Sequence, residues 1–496
     1  MKQESAESYS HVLKYTGIFG GVQGLNILVS LVRNKLVAVL LGPNGMGLAS
    51  LFNTTVNFIS QSTNFGISFS AVRHVSELFD RGDEAAIAHF VKVVRAWSLL
   101  TAVLGMFVCM VAGPLLNSYT FSWGDHTLHF MLLAPAVGLM AITGGETAIL
   151  KGARRLRALA VVQIGAVLAA LVVSVPIYYF FGQAGIVPVI VLMALVLMLL
   201  TVYCSYRLYP LRLSGARGLL GEGMEMVKLG VAYTLAGIVG SASEMLIRSY
   251  LNVVSGDLDV VGLYNVGYMI TITYASMVFS AMETDYFPRL SAVSGNVAAT
   301  NVTVNKQMEV SLLILAPMLV GLIMLLPVLV PLLFSSKFLP VLGMTQVAVL
   351  AMYMKVQTMP IAYITLARGY SLSFLFLETV YFIALVAMVI GGYRLWGLYG
   401  TGLAIVGAHV FELLTVGGYA YFRYGYRYTG SLLAMATVQT AFGVAAYVVS
   451  LVAGGWIYWI AEAALAVAST AYSLLVLRRK TRLWQALRRR VLRHRA

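Results

Sequence analysis

Apolar residues form long runs along almost the whole chain, separated by short polar or turn-like segments. A transmembrane helix needs about 20 such residues. The breaks contain glycine, proline or clustered basic residues, as at Gly42-Pro43 and in the run from Lys151 to Arg157. The pattern predicts an all-α integral membrane protein with about fourteen transmembrane helices. We place them at residues 12–41, 45–70, 91–116, 128–150, 158–181, 185–207, 227–250, 260–284, 307–334, 343–367, 371–393, 398–422, 432–453 and 457–477.

Short motifs in the first half of the chain return in the second half at a nearly constant distance of about 215 positions. Leu31 to Leu36 reappears as Leu246 to Leu251, and Gly47-Leu48 reappears as Gly262-Leu263. Further along, Gly182 and Gly185 return as Gly397 and Gly400. Each match alone is short, but the shared distance indicates a duplication.

Each copy of the repeat contains six predicted spans, which is an even number. Both copies therefore have the same topology and are expected to be related by an axis along the membrane normal. We predict an N-terminal six-helix bundle at 1–212, a C-terminal six-helix bundle at 213–428, accessory helices at 429–477 and a basic tail at 478–496. Such an architecture favours transport through a cavity between the bundles by alternating access.

The composition agrees with this class, since 60% of the 496 residues are apolar and 11% are charged. A soluble domain has about 45–50% apolar and about 25% charged residues, so a soluble enzyme is excluded. Most basic residues fall on one side of the predicted membrane, which predicts that both termini are cytoplasmic. The tail has basic residues and no acid, with Leu483, Trp484 and Leu487 at helical spacing. We interpret it as an interfacial helix on anionic lipids, not as a nucleic-acid-binding segment.

The sequence has no motif for covalent, metal or nucleotide chemistry. Cys109 and Cys204 lie inside apolar runs, the histidines have no metal-ligand spacing, and no phosphate-binding loop with a following lysine is present. The predicted outer loops are too short for a catalytic domain. We therefore expect no enzyme activity, metal or cofactor.

Lys355 is the clearest case of a charge in the predicted membrane region. About 12 residues precede it in its predicted helix and place it about 18 Å from the outer end, close to the middle of the bilayer. A charge at this depth costs about 2.5–3.5 kcal/mol. One interpretation is a cation that lines a wet cavity and contacts an anionic substrate. The other is a buried salt bridge with a carboxylate on another helix.

Arg33 and Arg248 occupy equivalent positions in the two repeats, towards the outer leaflet. Two such guanidinium groups facing one cleft would suit a phosphate-bearing ligand. Snorkelling to the interface is the alternative, and it applies even more to Lys35. Glu244 lies one turn before Arg248 and could neutralise it within the helix.

Several acidic residues also lie within or beside apolar spans, and such carboxylates can carry a coupling proton in secondary transporters. Glu146 and Glu378 are near predicted cytoplasmic ends, which favours a solvated or salt-bridged role. Glu412 is deeper and is the candidate coupling site. Glu283 and Asp285 end a predicted helix beside Arg289 and are candidates for a gate or structural pair at the inner surface.

The segment from Arg33 to Leu48 resembles the signature of bacterial polysaccharide translocases. These are O-antigen and enterobacterial-common-antigen type flippases of the multidrug/oligosaccharidyl-lipid/polysaccharide exporter superfamily. Shorter segments resemble the same family: Lys151-Gly152, Val261 to Tyr264, Phe287 to Ser291 and Ser335 to Phe338. Together the likeness covers roughly residues 12–425.

The resemblance implies two six-helix bundles that move a polyprenyl-pyrophosphate-linked oligosaccharide across the bacterial inner membrane. A cationic central cavity would bind the pyrophosphate, and Arg248 and Lys355 match positions where such translocases carry a cation. Polysaccharide polymerase and chain-length proteins would be partners. A cation-coupled multidrug exporter of the same fold is the first alternative, but it would need carboxylates in the cavity, whereas the deep charges of this sequence are mostly basic. A membrane-embedded glycan polymerase or ligase is a second, although it would need a larger outer loop.

Overall fold

A computed structural model describes residues 2–121, 125–210, 219–273, 286–287 and 289–480. Glu283, Asp285 and the tail beyond residue 480 lie outside these ranges. Every regular element in the described part of the chain is a helix. The α-helices are α1 (Lys2–Thr63), α2 (Ile67–Arg81), α3 (Glu84–Thr120), α4 (Thr127–Leu132), α5 (Ala134–Gly152), α6 (Leu156–Phe181), α7 (Ile186–Tyr206), α8 (Leu219–Glu222), α9 (Met224–Ser255), α10 (Leu258–Tyr268), α11 (Val297–Leu333), α12 (Leu342–Ala348), α13 (Ala351–Ala367), α14 (Ser371–Tyr424), α15 (Gly430–Val452) and α16 (Gly455–Lys480).

Two of these helices each cover two predicted spans. The backbone of α1 leaves helical geometry at Gly42, and that of α14 does so at Trp396 and Gly397. Between α6 and α7 a single 3-10 turn, Gly182–Gly185, takes the place of a longer loop. The predicted breaks are therefore present, but they are sharp bends in nearly continuous helix.

One pair of glycines from the repeated motifs, Gly182 and Gly397, has similar backbone conformations. Gly182 has φ 54° and ψ −129°, and Gly397 has φ 58° and ψ −145°. Both conformations lie in the positive-φ region that glycine adopts without steric cost. The same unusual backbone conformation thus separates the same two helices in each copy.

Eight helices among the described residues are long and apolar enough to cross a membrane. They include the bent helices described above. A bent pair, Ser336–Ala348 with Ala351–Ala367, becomes a ninth candidate if its 49° break lies within one span. The protein is an all-helical, multi-pass membrane protein, and the number of fourteen spans remains a prediction.

Helix α2 differs from the sequence prediction, which extends the second span to residue 70. The chain instead turns at Phe65 and Gly66, both with positive φ, and begins a separate amphipathic helix. Ile67 is fully buried on one face of α2, whereas Arg73 and Glu77 form an exposed ion pair of 2.8 Å on the other. This helix was not predicted because its apolar face directly continues the apolar run before it.

The chain divides into two compact units. Of the described residues, those within Met1–Leu263 and Leu332–Lys337 form one unit, and those within Tyr264–Pro331 and Phe338–Ala496 form the other. In the first unit, α9 packs against α1, α2 and α3, so this unit extends as far as Leu263. The repeat boundary at 212/213 is defined by the duplicated motifs of the sequence and remains a prediction.

Candidate functional site

Lys355 and Glu412 form an ion pair inside the second unit. Lys355 lies on α13 and Glu412 on the second half of α14, and Nζ is 3.4 Å from Oε1. The Glu412 side chain is 4% exposed and the Lys355 side chain is 29% exposed. The sequence left open whether Lys355 pairs with a carboxylate on another helix, and the structure contains that pair. Lys355 nevertheless keeps an accessible side.

Two aromatic groups complete the surroundings of this pair. The ammonium of Lys355 lies 5.6 Å from the centre of the Tyr381 ring, a cation–π distance. The Tyr381 hydroxyl is 3.4 Å from Nε2 of His409, and Nδ1 of His409 lies 2.9 Å from the carbonyl oxygen of Ile405. Since only a protonated Nδ1 can donate to that carbonyl, Nε2 of a neutral ring accepts from Tyr381.

A second carboxylate acts on the same ammonium. Glu378, on the first half of α14, interacts electrostatically with both Lys355 and Glu412. In addition, Oε2 of Glu412 is buried with no hydrogen-bond partner among the described residues. One ammonium thus faces two carboxylates, and one carboxylate oxygen remains available for a proton or a hydrogen bond.

The sequence analysis assigned no role at this site to Tyr381 or His409, although their spacing from two acidic residues could have indicated them. Tyr381 lies three residues after Glu378, and Glu412 lies three residues after His409. Residues three apart share a helix face. The sequence therefore contained two polar pairs at helical spacing, but it could not show that both face Lys355.

Ser50 and Glu244 hold Arg248 inside the first unit. Its Nε donates to the Ser50 hydroxyl at 2.8 Å, and Nη1 lies 3.3 Å from Oε2 of Glu244. The Arg248 side chain is 5% exposed, whereas that of Glu244 is 42% exposed. The pair within the helix that the spacing suggested is therefore present, and its acidic partner is partly exposed.

The two other predicted substrate-binding cations also lie in the first unit. Arg33 is half-buried and its Nε donates to Ser174 on α6 at 3.2 Å. Lys35 is half-buried on α1. The structure thus brings Lys355 together with Glu412, and Arg248 together with Glu244. Lys355 and Glu412 lie in a different unit from Arg33, Lys35 and Arg248.

Glu146 forms the salt bridge that was one of its two predicted roles. Its two oxygens lie 2.7 and 3.3 Å from Nε and Nη2 of Arg95, and the Glu146 side chain is 3% exposed. The Arg95 guanidinium also lies 4.0 Å from the centre of the Tyr206 ring. This enclosed, bidentate arrangement is typical of a structural pair.

Comparison with known proteins adds a family and a fold. The model of the family described as "Polysaccharide biosynthesis protein" matches residues 36–343. No curated protein matches the chain. Three solved structures share its fold: lipid II flippase MurJ in an inward closed conformation, an inward-facing multidrug resistance MATE transporter of the MOP superfamily, and a MOP superfamily transporter from Pyrococcus furiosus described as having a binding pocket of reverse polarity.

The flippase has a TM-score of 0.68 at 12% identity and covers 93% of this chain and 98% of its own. The MATE transporter has a TM-score of 0.65 at 17% identity, and the match covers 82% of this chain and 96% of the transporter. The Pyrococcus protein has a TM-score of 0.58 at 15% identity, and the match covers 82% of this chain and 93% of that protein. All three are transporters or flippases. The family match covers more than half of the sequence, so the chain belongs to the polysaccharide biosynthesis protein family and has the fold of MOP superfamily transporters.

Proposed function

We propose that this protein is a flippase that moves a polyprenyl-pyrophosphate-linked oligosaccharide from the cytoplasmic to the outer leaflet of the bacterial inner membrane. Membership of the polysaccharide biosynthesis family supports the glycan, and the transporter fold supports movement across the membrane. Alternating access through a cationic central cavity is the proposed mechanism. Both termini are proposed to be cytoplasmic, following the distribution of basic loops.

The observation that carries the proposal is the partial exposure of Lys355 and its long ion pair with Glu412. Lys355 lies within a predicted membrane span, yet its side chain is partly accessible and its ion pair with Glu412 is as long as 3.4 Å. A pyrophosphate carries more negative charge than a carboxylate and can replace Glu412 as the partner of this ammonium. Lys355 is therefore the proposed substrate contact, with Arg248, Arg33 and Lys35 as further contacts along the path.

Glu412 is the proposed coupling residue because it would lose its counter-charge when Lys355 binds the substrate instead. A buried carboxylate without a counter-charge is unstable as an anion and takes up a proton. Substrate binding at Lys355 would thus be linked to proton uptake at Glu412, and release of the substrate would reverse both steps. Glu244, Glu283 and Asp285 are proposed as gate residues.

One observation favours a second candidate, a cation-coupled multidrug exporter. Glu378 and Glu412 both act on Lys355, so this site has more acidic than basic groups when all are charged. An exporter of organic cations would use such carboxylates. The family match favours the glycan substrate, and transport of the two substrate classes can be compared directly.

The test is a proteoliposome assay with a fluorescent lipid-linked oligosaccharide, alongside an assay of organic-cation transport. Lys355→Ala should abolish oligosaccharide translocation, Lys355→Arg should retain it, and the exposed Lys337→Ala should be neutral. Unchanged translocation in Lys355→Ala would remove the substrate contact. Transport of organic cations without transport of the oligosaccharide would establish the exporter instead.

A separate arm tests coupling. Collapse of the proton gradient should slow translocation by the wild type and have a smaller effect on Glu412→Gln, which cannot become an anion. Indifference of the wild type to both proton and sodium gradients would remove the coupling role of Glu412.

A further inference from the structure

A groove of about 330 Å³ lies where α14 ends and the chain turns into α15. Its lining consists of Gly417, Tyr421, Tyr426, Arg427 and Tyr428. A Cβ added at Gly417 would meet no atom within 4 Å, so the space beside this glycine is open. Three phenol rings and one guanidinium thus surround a concave space in the second unit.

The loop that forms one wall of this groove is fixed by two asparagines on α11. Asn301 donates to the carbonyl oxygen of Gly425 at 3.1 Å and accepts from the backbone N–H of Arg427 at 3.0 Å. Asn305 donates to the Arg427 carbonyl at 2.9 Å and accepts from the Tyr426 hydroxyl at 3.1 Å. Because both backbone groups of Arg427 are held, its side chain is presented from a preorganised position.

The groups facing the groove suit a phosphate attached to a sugar. The Arg427 side chain is exposed, stands 5.9 Å from the centre of the Tyr421 ring, and forms no ion pair with a carboxylate of the described residues. A guanidinium binds phosphate oxygens through two parallel hydrogen bonds, and tyrosine offers a flat apolar face with a polar edge. The Tyr428 phenol is neutral at physiological pH, and burial raises its pKa further.

The location of the groove selects a ligand that is anchored in lipid. Phe422, adjacent to Tyr421, is 87% exposed, as expected for a side chain that faces acyl chains. The predicted topology places this end of α14 at the cytoplasmic surface, and tyrosine and arginine are common at the headgroup level. A ligand bound here would have its head in the groove and its chain beside α14.

We propose that this groove is an inner-leaflet capture site for the sugar-diphosphate head of a lipid-linked glycan. This inference rests on the proposed function and adds a first binding site, separate from Lys355. A simple phospholipid headgroup could satisfy Arg427, but it would leave the exposed ring of Tyr421 without a sugar ring to pack against. The observations therefore favour a glycosylated phosphate, and the phospholipid is an outcome of the test.

The experiment measures binding to the full-length protein in nanodiscs, using a short-chain polyprenyl diphosphate carrying a disaccharide as the probe. All variants are made in a Lys355→Ala background, so that binding at the proposed central contact does not contribute. Arg427→Ala should weaken binding by about tenfold, as for the loss of one charge-assisted hydrogen-bonded contact. Arg427→Lys should weaken it less, and Tyr421→Ala should weaken binding of the disaccharide probe more than that of a probe without sugar.

Arg423→Ala is the matched control, because Arg423 is also exposed, at the end of α14, and 5.9 Å from a tyrosine ring, that of Tyr370. Arg423 does not line the groove. The affinity of the Arg423→Ala variant for the probe should therefore stay within about twofold of that of the Lys355→Ala protein. Equal losses in Arg423→Ala and Arg427→Ala would overturn the site. Equally effective competition by phosphatidylglycerol would overturn the glycan assignment in favour of a general phospholipid site.

Transport by the single variants separates this inference from the proposed function. Arg427→Ala should slow translocation at low substrate concentration and approach the wild-type rate at saturation, whereas Lys355→Ala should not recover. If Lys355→Ala transports normally while Arg427→Ala still weakens probe binding, the proposed substrate contact at Lys355 is wrong and the proposed capture site is retained. If Lys355→Ala is inactive while Arg427→Ala binds the probe normally, the groove alone fails.

Discussion

Gly47 on α1 and Gly262 on α10 lie with their backbones directly against each other in the first unit. A Cβ on Gly47 would be 2.9 Å from the backbone nitrogen of Gly262, and one on Gly262 would be 3.1 Å from the nitrogen of Gly47. Each would also meet a carbonyl oxygen even more closely, that of Leu258 or of Pro43. These two glycines are equivalent positions of the sequence repeat, so the duplicated motifs pack on each other at a point where no side chain fits.

The first prediction is that Gly47→Ala and Gly262→Ala each lower the melting temperature of the purified protein in detergent. The added methyl group meets backbone atoms, which cannot move aside as a side chain can, and overpacking of this kind costs about 1–3 kcal/mol. Gly321→Ala on α11 is the control, because its Cβ would meet nothing within 4 Å and alanine favours a helix. Wild-type melting of both Gly47→Ala and Gly262→Ala would show that the contact is not formed in solution.

The second prediction concerns coupling between Lys355 and Glu412. Loss of one member leaves the other without its counter-charge, so Lys355→Met should destabilise the protein by about 3–5 kcal/mol. The double variant Lys355→Met/Glu412→Gln should lose less than the sum of the single variants, with an interaction energy of about 0.5–3 kcal/mol. Thermal or denaturant unfolding of the four proteins measures the cycle. Strict additivity would mean that the pair does not form.

The third prediction contrasts a buried and an exposed ion pair. Glu146→Gln should cost about 3–5 kcal/mol, since Arg95 is only 10% exposed and would lose its carboxylate. Glu77→Gln should lower stability far less, because Arg73 and Glu77 are 62% and 48% exposed on one helix face and water screens their attraction. Added salt should reduce the smaller effect and leave the larger one nearly unchanged. Similar costs for both would contradict the observed difference in burial.

The fourth prediction is a gain in stability at Glu462 on α16. This side chain is fully buried, and neither carboxyl oxygen has a hydrogen-bond partner among the described residues. Glu462→Met keeps a similar volume and removes two unsatisfied atoms, so unfolding should become harder by about 1–3 kcal/mol. Glu412→Met is the comparison, because it deletes an ion pair and should destabilise the protein. A loss at Glu462 as large as that at Glu412 would show that Glu462 has a stabilising partner.

The sequence alone determined the all-helical membrane class and the positions of the main helix breaks. It could do so because the cost of placing polar backbone or charge in lipid depends on local composition. The repeated motifs were also readable in the sequence, and one equivalent pair, Gly182 and Gly397, has similar positive-φ conformations that glycine adopts without steric cost. The unusual cost of Lys355 in an apolar span identified it before any partner was known.

Only the tertiary structure decided which groups meet. Glu412 is 57 residues from Lys355 along the chain, and the sequence offered several buried acids as partners. The direct packing of Gly47 on Gly262, and the fixing of Arg427 by Asn301 and Asn305, likewise depend on how separate helices approach. Hydropathy is a property of each segment, whereas contacts between segments depend on helix rotation, tilt and bending, which no local pattern specifies.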